Sequence, residues 1–205
     1  MLIIQDLLLV ISGAVGTLLL RSGAKLAVKL DADTRPLKKY YCSDKNVVPN
    51  PGRLSQGRGD KVSDRAASKR YAWAHGSNQV GPSPREHTIY GPYTNDFGNP
   101  GFYKVSFRLR CLKDLPSSDD PIVVLDVVRS PFSEEHGMAL LGQRVISARE
   151  LKMEYKRFNV YCHYVGGGIY EYRCSVVSNN LLKDGNTVLF DTIKVYRHFR
   201  IWDVF

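Results

Sequence analysis

Residues Phe102 to Cys111 read FYKVSFRLRC, and this stretch decides the fold class. Tyr103, Val105, Phe107, Leu109 and Cys111 alternate with Lys104, Ser106, Arg108 and Arg110. A β-strand sends successive side chains to opposite faces, so the alternation predicts one face in a core and one in water. That texture belongs to antiparallel sheets.

Working outward, the same texture recurs from Tyr71 onward. Strands are expected over Glu86 to Tyr90, Ile122 to Val128, Leu140 to Ile146, Arg157 to Val165, Ile169 to Val177, Val188 to Val195 and near Tyr196 to Val204. In the second of these, Val123, Leu125 and Val127 point inward and Asp126 lies opposite. Gly166-Gly167-Gly168 between two strand patterns predicts a hairpin. Ser147 and Glu150 have capping-box spacing, so a short helix is expected over Ala148 to Lys156. About eight strands with little helix fit an all-β, antiparallel two-sheet sandwich of jelly-roll type.

The N-terminal part reads differently. Leu2 to Leu20 is apolar apart from Gln5 and Asp6, and is expected to form a helix. A membrane anchor, a secretory signal and a buried helix compete for it. The anchor reading gives membrane association through residues 2–20, with the domain at the cell envelope or on the extracellular side. Arg21, Lys25 and Lys29 follow the apolar run, and the positive-inside rule points the other way. Residues 43–70 have no aromatic side chain, and Gly, Ser, Pro and charge dominate. A flexible basic linker is expected there. The domain plan is therefore a helix with a basic flank (1–42), a linker (43–70) and a sandwich (71–205).

The chain of 205 residues carries a formal net charge of +9. Residues 1–75 supply +7 of it, from 13 basic and 6 acidic side chains. The folded part is nearly balanced. Its aromatic side chains on the 102–110 strand face the core, so they are not free to stack on bases, and no nucleic-acid partner is expected. The composition, 43% hydrophobic and 24% charged, excludes wholesale disorder.

No motif with a catalytic mechanism is present: no G-x-S-x-G, no phosphate-cradling loop and no His pair at zinc-helix spacing. The chain is read as a non-enzyme without cofactor or metal. Cys42, Cys111, Cys162 and Cys174 lack C-x-x-C spacing. In the expected hairpin Cys162 and Cys174 share the apolar face, which leaves two readings open. One is a disulfide in an oxidising compartment. The other is a pair of buried free thiols. Asp126 and Asp191 interrupt apolar strands, and each reads by default as lying on the solvent face of an edge strand. The alternatives are a calcium ligand or a hydrogen bond to a loop.

The opposite face of that hairpin carries Tyr161 and His163 on one strand, with Glu171 and Arg173 on the next. An aromatic face stacks on the C–H surface of a sugar, and planar charged groups bond adjacent hydroxyls. These four residues are the expected ligand site. The competing reading is a solvated face with a cross-strand ion pair.

The order of motifs resembles that of carbohydrate-binding-like jelly-roll modules. It runs through Trp73-Ala74-His75, Tyr90-Gly91-Pro92-Tyr93 and Pro100-Gly101-Phe102-Tyr103 into the long strand. Tyr155 to Val160, Tyr170 to Arg173 and Phe190-Asp191-Thr192-Ile193-Lys194-Val195 resemble the closing strands. The resemblance covers about residues 71–196. Such modules accompany bacterial glycosyltransferases and cell-envelope proteins, and the resemblance implies a non-catalytic glycan-binding domain. The alternative is a structural or assembly subunit whose sandwich binds protein partners.

Overall fold

A computed structural model describes residues 8–10, 17–19, 35–44, 54–76, 87–94, 97–130, 139–178, 182 and 185–198. Strands β1 (Leu8–Val10) and β2 (Thr17–Leu19) pair antiparallel with each other. The remaining strands form two six-stranded sheets.

The first sheet is built on β9 (Gly101–Cys111), the strand with the clearest alternation. It runs β12 (Lys156–Tyr164), β9, β14 (Thr187–Arg197), β6 (Tyr71–Gly76), β5 (Asp60–Ser63). Strand β3 (Lys38–Tyr41) shares the β14 edge with β6. The second sheet runs β11 (Ala139–Ser147), β10 (Pro121–Ser130), β13 (Ile169–Val176), β7 (Ile89–Tyr90), β4 (Ser55–Gln56). Strand β8 (Pro92–Thr94) also pairs with β13. Every pairing in both sheets is antiparallel.

The core lies between the sheets. Val105, Phe107 and Leu109 of β9 meet Val123, Leu125 and Val127 of β10 in one buried cluster. Full burial of each such side chain contributes about 1.5–3 kcal/mol. Phe97 packs edge-on to Tyr103 (4.6 Å) and Tyr170 (4.8 Å). Tyr103 is buried, and its hydroxyl lies 2.6 Å from the carbonyls of both Phe97 and Asn99, between which its one proton is shared. His75 is a satisfied core histidine, its Nδ1 3.1 Å from Thr88 Oγ1.

Three sequence expectations change. First, Arg157 to Val165 and Ile169 to Val177 do not form a hairpin. Strand β12 pairs with β9 and β13 pairs with β10, so Val165 to Gly168 crosses between sheets. Gly166, Gly167 and Gly168 take φ of 100°, 63° and 90°, which suits glycine. An apolar face alternating with a polar one fits face-to-face packing as well as side-by-side pairing. Second, residues 54–70 are not a linker. Strand β4 pairs with β7, β5 pairs with β6, and Leu54, Asp64 and Ala67 are buried. The sandwich therefore begins before Tyr71. Gly59 lies against Trp73, whose indole N–H donates to the Arg58 carbonyl at 3.2 Å. Third, half of the capping box forms, and without its helix. Ser147 N–H donates to Glu150 Oε2 at 3.0 Å, but the chain makes a single turn at 148–150. Leu151 and Ala148 are drawn into burial there.

Most of the expected helix over 2–20 lies outside the described residues, and the six described there are the β1–β2 pair. Among the described residues no helix is long and apolar enough to cross a membrane. The terminal run continues β14 only to Arg197; residues 199–205 lie outside the described set.

Candidate functional site

The register of β10 determines what its outer face carries. Asp126 stands directly opposite Arg173 on β13 and Gln143 on β11, and Val128 stands opposite Glu171. The carboxylate accepts from Gln143 Nε2 at 2.9 Å and from Arg173 Nη2 at 3.3 Å. Asp126 is thus in the middle of a sheet and almost buried, and the edge-strand expectation for it does not hold.

The Tyr90-Gly91-Pro92-Tyr93 turn adds the aromatic part. Strand β8 pairs Pro92 with Glu171 and Thr94 with Tyr170, so Tyr93 lies beside Glu171. Tyr93 takes φ 59°, a left-handed value that non-glycine residues seldom adopt. The rings of Tyr90 and Tyr93 stand edge-to-face at 6.2 Å, and His87 lies 6.4 Å from Tyr90. His87 Nδ1 is 2.8 Å from Ser175 Oγ.

Electrostatics ties these groups into one patch. Burial pushes the Glu171 carboxyl above its ordinary value, and the Arg173 guanidinium opposes this. Burial lowers the His87 imidazole, Arg173 lowers it further, and Asp126 pulls the other way. His87 is therefore neutral at pH 7. Burial, with Glu171 and Tyr90 nearby, pushes the Tyr93 hydroxyl up to about 12, so it stays protonated. The Glu171 carboxylate accepts no hydrogen bond from another described residue. The patch offers two half-buried tyrosines, a carboxylate acceptor, a guanidinium donor and a neutral imidazole.

The expected site is therefore divided. Glu171 and Arg173 sit on this face, but Tyr161 and His163 sit on the outer face of the other sheet, on β12. Tyr161 is 53% exposed and lies 5.0 Å from His198; His163 stacks on Phe102 at 4.5 Å, so Phe102, unlike Tyr103 and Phe107, is on the outer face and not in the core. Tyr90, Tyr93 and His87 take their place beside Glu171. The signal for the two tyrosines is the Tyr90-Gly91-Pro92-Tyr93 run itself, a turn that sets two rings at the end of a strand.

Asp191 also differs from its default reading. It sits at a β-bulge of β14, is 1% exposed, and pairs with Arg108. Its carboxylate accepts from Ser68 N–H (2.9 Å) and Ser68 Oγ (2.8 Å), so it holds a loop, one of the two alternatives for such a residue. All four cysteines are buried free thiols; Cys162 and Cys174 lie in different sheets and are not joined. Burial pushes the Cys162 thiol up to about 12. Among the described residues no group of three His, Cys, Asp or Glu is placed to hold a metal.

Together these features make the chain an antiparallel two-sheet β-sandwich with a polar-aromatic patch on one sheet. The particular structures it is similar to are as follows. The CBM22-1 xylan-binding domain of Xyn10C from Paenibacillus barcinonensis matches at TM-score 0.50 and 8% identity, covering 80% of this chain and 94% of that one. The CBM22-1–CBM22-2 tandem of the same protein matches at TM-score 0.50 and 9% identity, over 81% of this chain and 50% of that one. The carbohydrate-binding module CBM6cm-2 of Cellvibrio mixtus lichenase 5A, in complex with cellotriose, matches at TM-score 0.44 and 10% identity, over 80% of this chain and all of that one. No family profile and no curated protein matches the chain. Identities this low establish the fold and nothing about the ligand.

Proposed function

We propose that the chain is a non-catalytic glycan-binding module, and that its ligand lies across the outer face of the β10–β13–β7 sheet, with β8. The carrying observation is the juxtaposition of Tyr90 and Tyr93 with Glu171 and Arg173. Tyrosine rings stack on the C–H face of a pyranose, while the carboxylate and guanidinium bond neighbouring hydroxyls. Xylan, which the structurally similar CBM22-1 domain is named for binding, is the first polysaccharide to test on this face. A glycan array with wild type and Arg173→Ala tests the reading. Binding by wild type that the variant loses is expected; no binding by either overturns it.

Placement at the cell envelope or on the extracellular side, with membrane association through residues 2–20, accompanies this proposal. The apolar run supports the membrane association, and the basic residues after it suit an anionic lipid surface but, by the positive-inside rule, not the extracellular side. Flotation of the full chain with anionic vesicles, lost when residues 1–34 are removed, is the expected result; equal flotation of both chains contradicts it.

A further inference from the structure

Part of the basic excess of the N-terminal third, Arg65, Lys69 and Arg70, has a place in the fold. Residues 64–70 turn between β5 and β6 and cover the outer face of the first sheet. Beneath the loop, Ala67, Ala72, Ala74 and Leu189 form a second small core. Asp64 anchors one end: it accepts from Tyr155 Oη at 2.6 Å and Arg110 Nε at 3.1 Å. Ser68 anchors the other end on Asp191. The negative charge of this hairpin loop is thereby turned inward, and its positive charge is left outside.

Those cations line a groove of about 600 Å³ formed by Ser63, Arg65, Lys69, Arg70 and Tyr71. No acid lines it. Among the described residues Arg65 and Arg70 have no acidic partner, and Lys69 shares an exposed pair with Asp44 at 2.8 Å. Exposed pairs of that kind contribute little, so the groove stays positive. Tyr71 is 46% exposed, and Lys61 Nζ lies 4.6 Å from its ring centre. Arg70 takes φ 61°, an unusual left-handed value held by the hydrogen bonds of Arg70 N–H to Ala67 and of Asp64 N–H to Arg70. The loop is fixed, and it displays forked donors into an open groove.

We propose that this groove binds the anionic groups of an acidic polysaccharide, carboxylate or sulfate, as a second ligand site of the module. Arginine forks match such oxyanions two bonds at a time. A single aromatic ring serves one sugar face, whereas single-stranded nucleic acid is held by successive stacked bases. The inference rests on the glycan reading above, but on different residues and the opposite sheet.

The test is retention on immobilised polygalacturonate and dextran sulfate, with xylan and dextran as neutral controls and oligo-dT as competitor, at near-physiological salt. The variants are Arg65→Gln/Arg70→Asn and Glu171→Gln. Asparagine tolerates the left-handed backbone, and an unchanged melting curve checks the fold. Wild type should be retained on one of the acidic supports, and which one distinguishes carboxylate from sulfate. The double variant should bind it about tenfold or more weakly, with neutral-glycan binding unchanged, and Glu171→Gln should do the reverse. The proposal is overturned if wild type is not retained on either acidic support, if the double variant binds as wild type, or if oligo-dT competes as well as the acidic glycan. Absent neutral-glycan binding with intact, arginine-dependent acidic binding would overturn the first site and leave this one standing.

Discussion

Glu171 shows how burial sets a residue's chemistry. Its carboxyl is held above the ordinary range because the sheet excludes water, with Arg173 opposing. Acidification therefore removes this acceptor earlier than it would an exposed glutamate, and glycan affinity should fall as pH drops through the raised value. Titration calorimetry across that range checks it, and Glu171→Gln should flatten the profile. Asp64 has the opposite sign. Burial alone would raise it, but the Tyr155 hydroxyl, the Ala66 N–H and Arg110 outweigh this and hold it below the usual carboxylate value. It stabilises the fold above its unfolded value of about 3.9, and that contribution is lost as pH falls through the lower folded value. Urea midpoints should drop over that acidic window in wild type and less in Asp64→Asn. Asp191→Ala should cost about 2–3 kcal/mol in urea unfolding, since it leaves Arg108 and the Ser68 N–H without their acceptor. The inward faces of β9 and β10 were legible residue by residue in the alternation. The fate of Asp126 and Asp191 was not, because alternation tells which face an acid is on and not what covers that face.

At the scale of elements, the strands were largely legible and their partners were not. Strands β12 and β13 were read correctly as strands, each with one apolar face, yet they enter opposite sheets. The short strands β4 and β5 were missed because they carry little apolar surface: SQ and DKVS rely on pairing with β7 and β6. Gly59 is the residue that permits one of these pairings. A Cβ there would come within 2.4 Å of both Trp73 Nε1 and the Ala74 carbonyl, at φ 138°. Gly59→Ala should destabilise the protein by about 2–3 kcal/mol and shift the tryptophan emission of the β5–β6 hairpin. A variant with wild-type urea midpoint would contradict that packing.

For the whole molecule, the earlier boundary matters most. A chain beginning at residue 71 lacks β3, β4 and β5, and leaves the β14 edge beside Thr192–Val195 and the β7 edge unpaired. It should aggregate or melt far below the full chain, whereas one beginning at residue 35 should unfold in a single transition. Circular dichroism melts of the two compare them directly. The two-sheet class was readable from alternation. The site was half readable, because Glu171 and Arg173 share a strand, while their aromatic neighbours come from a turn some 80 residues earlier in the chain. The central claim is that glycan lies on the β10–β13–β7 face. The direct measurement is amide chemical-shift mapping of the labelled protein titrated with xylohexaose and cellohexaose. Shifts are predicted at Tyr90, Tyr93, Glu171 and Arg173, with Tyr161 and His163 unmoved; shifts centred on Tyr161 and His163, or none with either oligosaccharide, would contradict it.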